Sequence, residues 1–151
     1  MVDQVAQEVI KHWISIGTEP LEGANASTIA ATEAYFDISL GGELLDFYSS
    51  VNGIFDEDDN GFAFYSLQKW RAHTAVFKSD ALDFFDQRKV CIIFVDYLQA
   101  SWYYALLFDR NTDKYTIGIL PHQALFIPIT DSFNEFLKWY LKDDEMLYNV
   151  S

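Results

Sequence analysis

The densest group of chemistry-bearing residues is Asp56-Glu57-Asp58-Asp59-Asn60-Gly61, four consecutive carboxylates closed by a turn dipeptide. Carboxylates at this density either coordinate a hard cation or meet the Lys and Arg side chains of a partner. Asp56, Asp58, Asn60 and Gly61 fall on positions 1, 3, 5 and 6 of an EF-hand loop. Position 12, which needs a bidentate glutamate, falls on Leu67, and no helix pattern enters from Ile54. The run therefore reads as a charged contact surface on a mobile tip rather than a metal site, with a merely solvated turn as the bland alternative.

The remaining candidates for chemistry are weaker. His12, His73 and His122 are scattered, and none stands at metal-ligand spacing with Cys91 or with another histidine. Cys91 lies within Val90-Cys91-Ile92-Ile93, which suits a small buried hydrophobe better than a nucleophile. The chain lacks a phosphate-cradling glycine loop, a Gly-x-Ser-x-Gly elbow and an HExxH pair. No metal, cofactor or catalytic residue is expected. A hydrolase using two carboxylates stays open as a minor alternative, and it requires a concave pocket with a raised carboxylate pKa. Trp102, Tyr103, Tyr104 and Tyr115 alternate faces in strand-like runs, so Trp102 and Tyr104 join Asp56, Glu57, Asp58 and Asp59 as candidate partner contacts.

Charge narrows the partner. The 23 acidic against 10 basic residues leave a formal net charge of −13, a field that repels nucleic-acid backbones and anionic membranes and either attracts basic proteins or merely keeps an aromatic-rich chain soluble. Half of the 151 residues are hydrophobic and 17% aromatic, enough for a real core and the length of one domain, 1–151. The single cysteine cannot form an intrachain disulfide, and Met1-Val2-Asp3-Gln4 opens neither an export signal nor a membrane span. A cytoplasmic protein is the expectation.

These residues must be positioned by an α+β arrangement. Val2, Val5, Ala6, Val9, Ile10, Trp13 and Ile16 recur at helical spacing before Gly17. Thr18 to Ala26 reads as a loop, Ser27 as the cap of a helix over Thr28 to Phe36, and Leu44, Phe47, Tyr48 and Val51 as the stripe of a third helix ended by Asn52-Gly53. Ile54-Phe55 and Phe62 to Tyr65 flank the acidic run as a hairpin or a looser β connection, and Ser66 is placed to cap a short helix. After a region of mixed signals from Lys78 to Arg88, with room for a short helix beyond Asp80, three strands follow over Val90 to Tyr97, Trp102 to Asp109 and Lys114 to Leu120. They form a β-meander, with Phe126 to Ile129 as an edge strand because Pro128 lacks a donor. Ser132 and Glu135 make a capping-box pattern for a C-terminal helix. The acidic Asp143-Asp144-Glu145 beyond it has the wrong sign for the helix dipole and predicts fraying. The fold class is thus α+β: a mainly antiparallel sheet of about four to six strands, packed with N-terminal helices and a C-terminal helix.

Ile29, Glu33, Phe36, Leu40, Leu44, Phe47 and Asn52-Gly53 stand in the spacing of the opening signature of the SUKH superfamily, which this chain resembles. Ile93-Phe94-Val95-Asp96 with Tyr103-Tyr104-Ala105-Leu106 looks like that family's central strand pair, and Ser132 to Leu137 like its closing helix. The likeness is strongest over 29–53 and looser over 90–141, and it departs at Gly41, where the family usually has proline, and at Ile54, where it often has glycine. The signature residues are architecture first: Asn52-Gly53 a terminus, Glu33 an acceptor for nearby backbone donors.

The resemblance implies a non-enzymatic protein-binding domain, of the kind that binds and neutralises a cognate toxin as an immunity protein. A basic nuclease toxin would suit the acidic balance. The alternative is an intracellular regulatory scaffold for endogenous proteins, as in the fungal cell-wall synthesis regulator branch, whose members carry long disordered flanks that this chain lacks. Sequence leaves the oligomeric state open.

Overall fold

The β-branched and aromatic runs after Lys89 form a four-strand antiparallel meander: β5 (Lys89–Tyr97), β6 (Trp102–Asp109), β7 (Tyr115–His122) and β8 (Leu125–Thr130). The structure is a computed structural model and describes residues 4–77 and 88–150. Ile92 pairs with Leu106 and Leu106 with Ile117, so apolar side chains stack across three strands. Among the described residues β8 pairs only with β7, and Pro128 sits opposite Gly118 on this edge strand, a position where proline is tolerated. On the other side β5 takes two short partners, β3 (Phe62–Phe64) and β4 (Arg71–Ala72), completing a six-stranded sheet.

Period-two alternation divides the sheet into two faces. Val90, Ile92, Phe94, Tyr104, Leu106, Phe108, Ile117 and Ile119 point into the main core, and the irregularity between Ile93 and Val95 turns Val95 to that side as well. Cys91, Ile93, Ala105 and Leu120 form a smaller cluster on the opposite face. The main face is covered by α1 (Gln4–Ser15), α3 (Gly42–Ser50) and α5 (Phe133–Lys142), whose Trp13, Phe47, Phe133 and Phe136 are fully buried. Each of these rings contributes roughly 1.5–3 kcal/mol on leaving water.

Local chemistry moves several expected boundaries. α2 (Ala26–Phe36) begins two residues earlier than expected because Asn25, not Ser27, accepts the Thr28 N–H at 2.8 Å. Glu33 on this helix accepts the Leu40 N–H at 2.7 Å, the backbone role expected of it. The segment expected as a loop holds β1 (Pro20–Glu22), which pairs with β2 (Val51–Ile54) as a separate two-stranded sheet. Asn52-Gly53 therefore does not end α3. That helix stops at Ser50, and both residues lie in β2, where Asn52 accepts the Leu67 N–H at 2.8 Å and donates to Gln68 Oε1 at 2.8 Å. β2 and β3 belong to different sheets, so the acidic run joins them as the looser connection rather than as a hairpin. Ser66 precedes the 3-10 turn Leu67–Lys69 without a side-chain cap bond, and the chain beyond it enters β4 at Arg71 rather than continuing as helix, with α4 (His73–Phe77) following.

At the far end Ser132 caps α5 through the Glu135 N–H, and Glu43 from the first turn of α3 adds acceptors for Ser132 Oγ at 2.9 Å and the Asn134 N–H at 3.1 Å. The acidic tail is not frayed, contrary to the dipole argument. Asp143 takes the left-handed conformation that closes the helix, Asp144 caps a 3-10 turn over Glu145–Tyr148, and Leu147 is fully buried. The helix expected beyond Asp80 lies outside the described residues.

Candidate protein-binding surface

The acidic loop between β2 and β3 is organised by the carboxylate that does not face solvent. Asp58 is 7% exposed. Its Oδ1 accepts the N–H groups of Asn60 at 2.8 Å and Phe62 at 2.9 Å, and its Oδ2 accepts the Tyr140 hydroxyl. That hydroxyl in turn accepts Trp13 Nε1–H at 2.7 Å, so α1, α5 and the loop meet in one buried hydrogen-bonded chain. Burial, with the Asp58 carboxylate beside it, pushes the Tyr140 phenol pKa well up and keeps it a donor. Asp58 is thus removed from the contact residues expected from sequence: its lone pairs are directed to the protein, and the loop is pinned at its middle rather than a mobile tip. Of the EF-hand positions, Asp58 is thereby committed to the Asn60 and Phe62 N–H groups, and Leu67 at position 12 has no side-chain oxygen to offer. Among the described residues no group of three His, Cys, Asp or Glu is arranged to hold a metal ion.

With Asp58 turned in, Asp56, Glu57 and Asp59 are turned out and exposed. None of the three has an ion pair with a described cation. The Phe55 N–H that opens the loop donates to the Glu19 carbonyl at 3.1 Å, and the Leu98 N–H donates to the Gly61 carbonyl at 2.9 Å at its close. The loop is therefore held at its start, middle and end.

The strand aromatics divide in the same way. Tyr104 is fully buried, donates its hydroxyl to the Leu147 carbonyl at 2.6 Å and has its pKa pushed up by burial, so it cannot touch a partner and leaves the contact residues. Trp102 is half-buried, with its ring 4.6 Å from Tyr97 and 6.4 Å from Tyr148. Tyr97 pairs with Phe62 across β3 and β5, which brings Trp102 to the same end of the sheet as the acidic loop. Sequence reasoning missed two neighbours, Phe55 and Leu98, which are 67% and 48% exposed. An apolar residue directly beside a carboxylate run was the available signal for Phe55.

The other chemical candidates are structural. Cys91 is buried with its thiol pushed up to about 12 by desolvation, which suppresses thiolate chemistry. His73 Nε2 lies 2.7 Å from the Gln123 carbonyl, and His122 Nδ1 accepts the Ala124 N–H. A hollow of about 760 Å³ is lined by Glu43, Asp109, Asp113 and Asp131, the kind of carboxylate cluster a hydrolase would need. Each of these is committed elsewhere: Glu43 to the start of α5, Asp109 to the Asn111 N–H, Asp113 to the Ser39 N–H and Asp131 to the Thr116 hydroxyl. A second groove of about 510 Å³ between α2 and β4, lined by Tyr35, Phe36, Trp70 and Arg71, has no carboxylate among the described residues of its wall.

Among the described residues no helix is long and apolar enough to cross a membrane. No curated protein matches the chain significantly. The model of the SMI1 / KNR4 family (SUKH-1) matches residues 23–139, from the loop before α2 to the last turn but one of α5. Both the opening signature and the meander lie inside that span, and on this match the chain belongs to the SMI1 / KNR4 (SUKH-1) family.

Proposed function

We propose that this protein is an immunity-type binding domain of the cytoplasm that covers and neutralises a cognate toxin with a basic surface, such as a nuclease, and performs no chemistry of its own. Family membership supports a protein-binding role, immunity-like or regulatory. The observation that carries the finer reading is the pinned loop, which presents Asp56, Glu57 and Asp59 without described counter-charges at one end of the sheet. Preorganised carboxylates steer a basic partner and enforce specificity without an ordering cost at the moment of binding. Trp102, partly exposed at the same end of the sheet, would add an aromatic contact.

The test is co-expression with the toxin-like product of the adjacent reading frame. A stable complex and protected growth are expected, with association slowed by salt and by Asp56→Asn/Glu57→Gln/Asp59→Asn. Absence of both a complex and protection would sink the reading. Recovery of many endogenous partners and no toxin would replace it with the regulatory-scaffold role.

A further inference from the structure

Isolated exposed apolar side chains on a protein surface need no explanation, but the placement of Leu98 does. Leu98, Gln99 and Ala100 have φ of 50°, 51° and 70°, three successive residues with side chains in the left-handed region. Each costs on the order of 1–2 kcal/mol relative to an ordinary conformation. The turn is nonetheless tightly specified, with Asp96 Oδ1 accepting the Ala100 N–H at 2.7 Å and the Leu98 carbonyl accepting the Ser101 hydroxyl at 2.9 Å. Its result is to lay Leu98 on the last residue of the acidic loop: a Cβ on Gly61 would come within 2.4 Å of Leu98 Cδ2. Half of Leu98 still faces solvent. Phe55 flanks the other end of the loop, two-thirds exposed, beside the exposed Glu19.

We propose that Phe55 and Leu98 are the apolar anchors of a docking surface rimmed by Glu19, Asp56, Glu57 and Asp59, and that its occupant is a basic protein face in which Lys and Arg surround an apolar recess. This deepens the proposed function by naming the anchors, and its charge argument stands without the toxin's identity. Four carboxylates around the anchors, in a chain of net charge −13, repel a second copy of the same surface and favour a cationic one. Charge sets encounter and specificity, whereas apolar anchors excluded from water set residence time. The carboxylates and the anchors therefore have separable kinetic signatures.

Two probes separate this proposal from the immunity reading. The first is a synthetic peptide alternating lysine and leucine, with a lysine and serine peptide as control, titrated into the isotopically labelled full chain. Shifts confined to the amides of 55–61 and 97–102, lost with the serine peptide, are expected. Shifts elsewhere, no shifts, or self-association of the chain through these residues would overturn the surface. The second is the toxin-like product of the adjacent reading frame. Phe55→Ser and Leu98→Ser, each checked for unchanged thermal unfolding, should raise the dissociation rate at least about tenfold with little change in association. Wild-type dissociation rates in both variants would overturn the anchors while leaving the immunity reading intact. A toxin that does not bind the wild type, with the peptide shifts in place, would remove that reading and leave the surface standing.

Discussion

Replacing Tyr140 by phenylalanine removes one oxygen and tests the pin beneath the acidic loop. The ring itself stays packed, with Phe64 at 4.8 Å and Phe62 at 5.2 Å, so the loss is not a large cavity. What disappears is the acceptor for Trp13 Nε1–H at 2.7 Å and the donor to Asp58 Oδ2, leaving two buried polar groups without that partner. A hydrogen bond to a charged group contributes about 1.5–3 kcal/mol and a neutral one about 0.5–1.5, so the variant should lose roughly 2–4 kcal/mol. Denaturant unfolding measures the total. Amide hydrogen exchange locates it, because the Asn60 and Phe62 N–H groups bound by Asp58 Oδ1 should lose protection first. A double-mutant cycle with Asp58→Asn should show a coupling above about 1 kcal/mol. A loss under about 0.5 kcal/mol with unchanged exchange at Asn60 and Phe62 would refute the claim that the chain from Trp13 to Asp58 holds the loop.

Three further outcomes follow from the same structure. Glu43→Ala should cost about 1–2 kcal/mol in chemical denaturation by stripping acceptors from the start of α5, and Glu43→Gln should recover part of it. Gly53→Ala should be much worse than Gly17→Ala. Both have positive φ, but a Cβ on Gly53 would stand 2.5 Å from the Phe64 carbonyl while Gly17 has open space, so Gly17→Ala should cost about 1 kcal/mol and Gly53→Ala at least twice that. Alkaline pH should unfold the protein. Burial raises the pKa of Tyr48, Tyr104 and Tyr140 above the unfolded value, so their contribution is complete below about pH 10 and is lost as pH rises beyond it. Each contributes a slope of roughly 1.4 kcal/mol per pH unit, about 4 for the three together, checked by urea midpoints against phenolate absorbance.

The meander was legible in the sequence because its strands are long runs of β-branched and aromatic residues, and Pro128 marked the edge by chemistry alone, whereas the two-residue β4 left no signal. The C-terminal helix was legible through Ser132 and Glu135. β1 was not, since three residues starting with proline have no periodicity of their own and form a strand only because β2 is there to pair. Asn52-Gly53 misleads for a related reason: a left-handed glycine suits a helix terminus, but at Gly53 it permits close approach to the backbone of Phe64 and Tyr65. The candidate surface was half visible. Composition marks the carboxylate run, but which carboxylate turns inward is decided by Tyr140, 82 residues away. The burial of Tyr104 is likewise decided by parity across a bulged strand pair and by the carbonyl of Leu147. The exposure of Leu98 follows from a turn with no glycine or asparagine to announce it.

The hydrogen bond between Trp13 and Tyr140 joins residues 127 apart, and this has a consequence for synthesis. α1 is complete at Ser15 but α5 begins only at Phe133, so at about 5–20 residues per second the two are separated by on the order of 10 s of translation. Trp13 can find Phe47 and Phe64 in that interval, but its indole N–H receives its acceptor only when α5 emerges. The acidic loop, translated midway, waits about two-thirds as long for the hydroxyl that fixes Asp58, 82 residues further on. A nascent chain should therefore acquire its sheet before its acidic loop is fixed, and premature termination before α5 should leave an apolar helix face for chaperones.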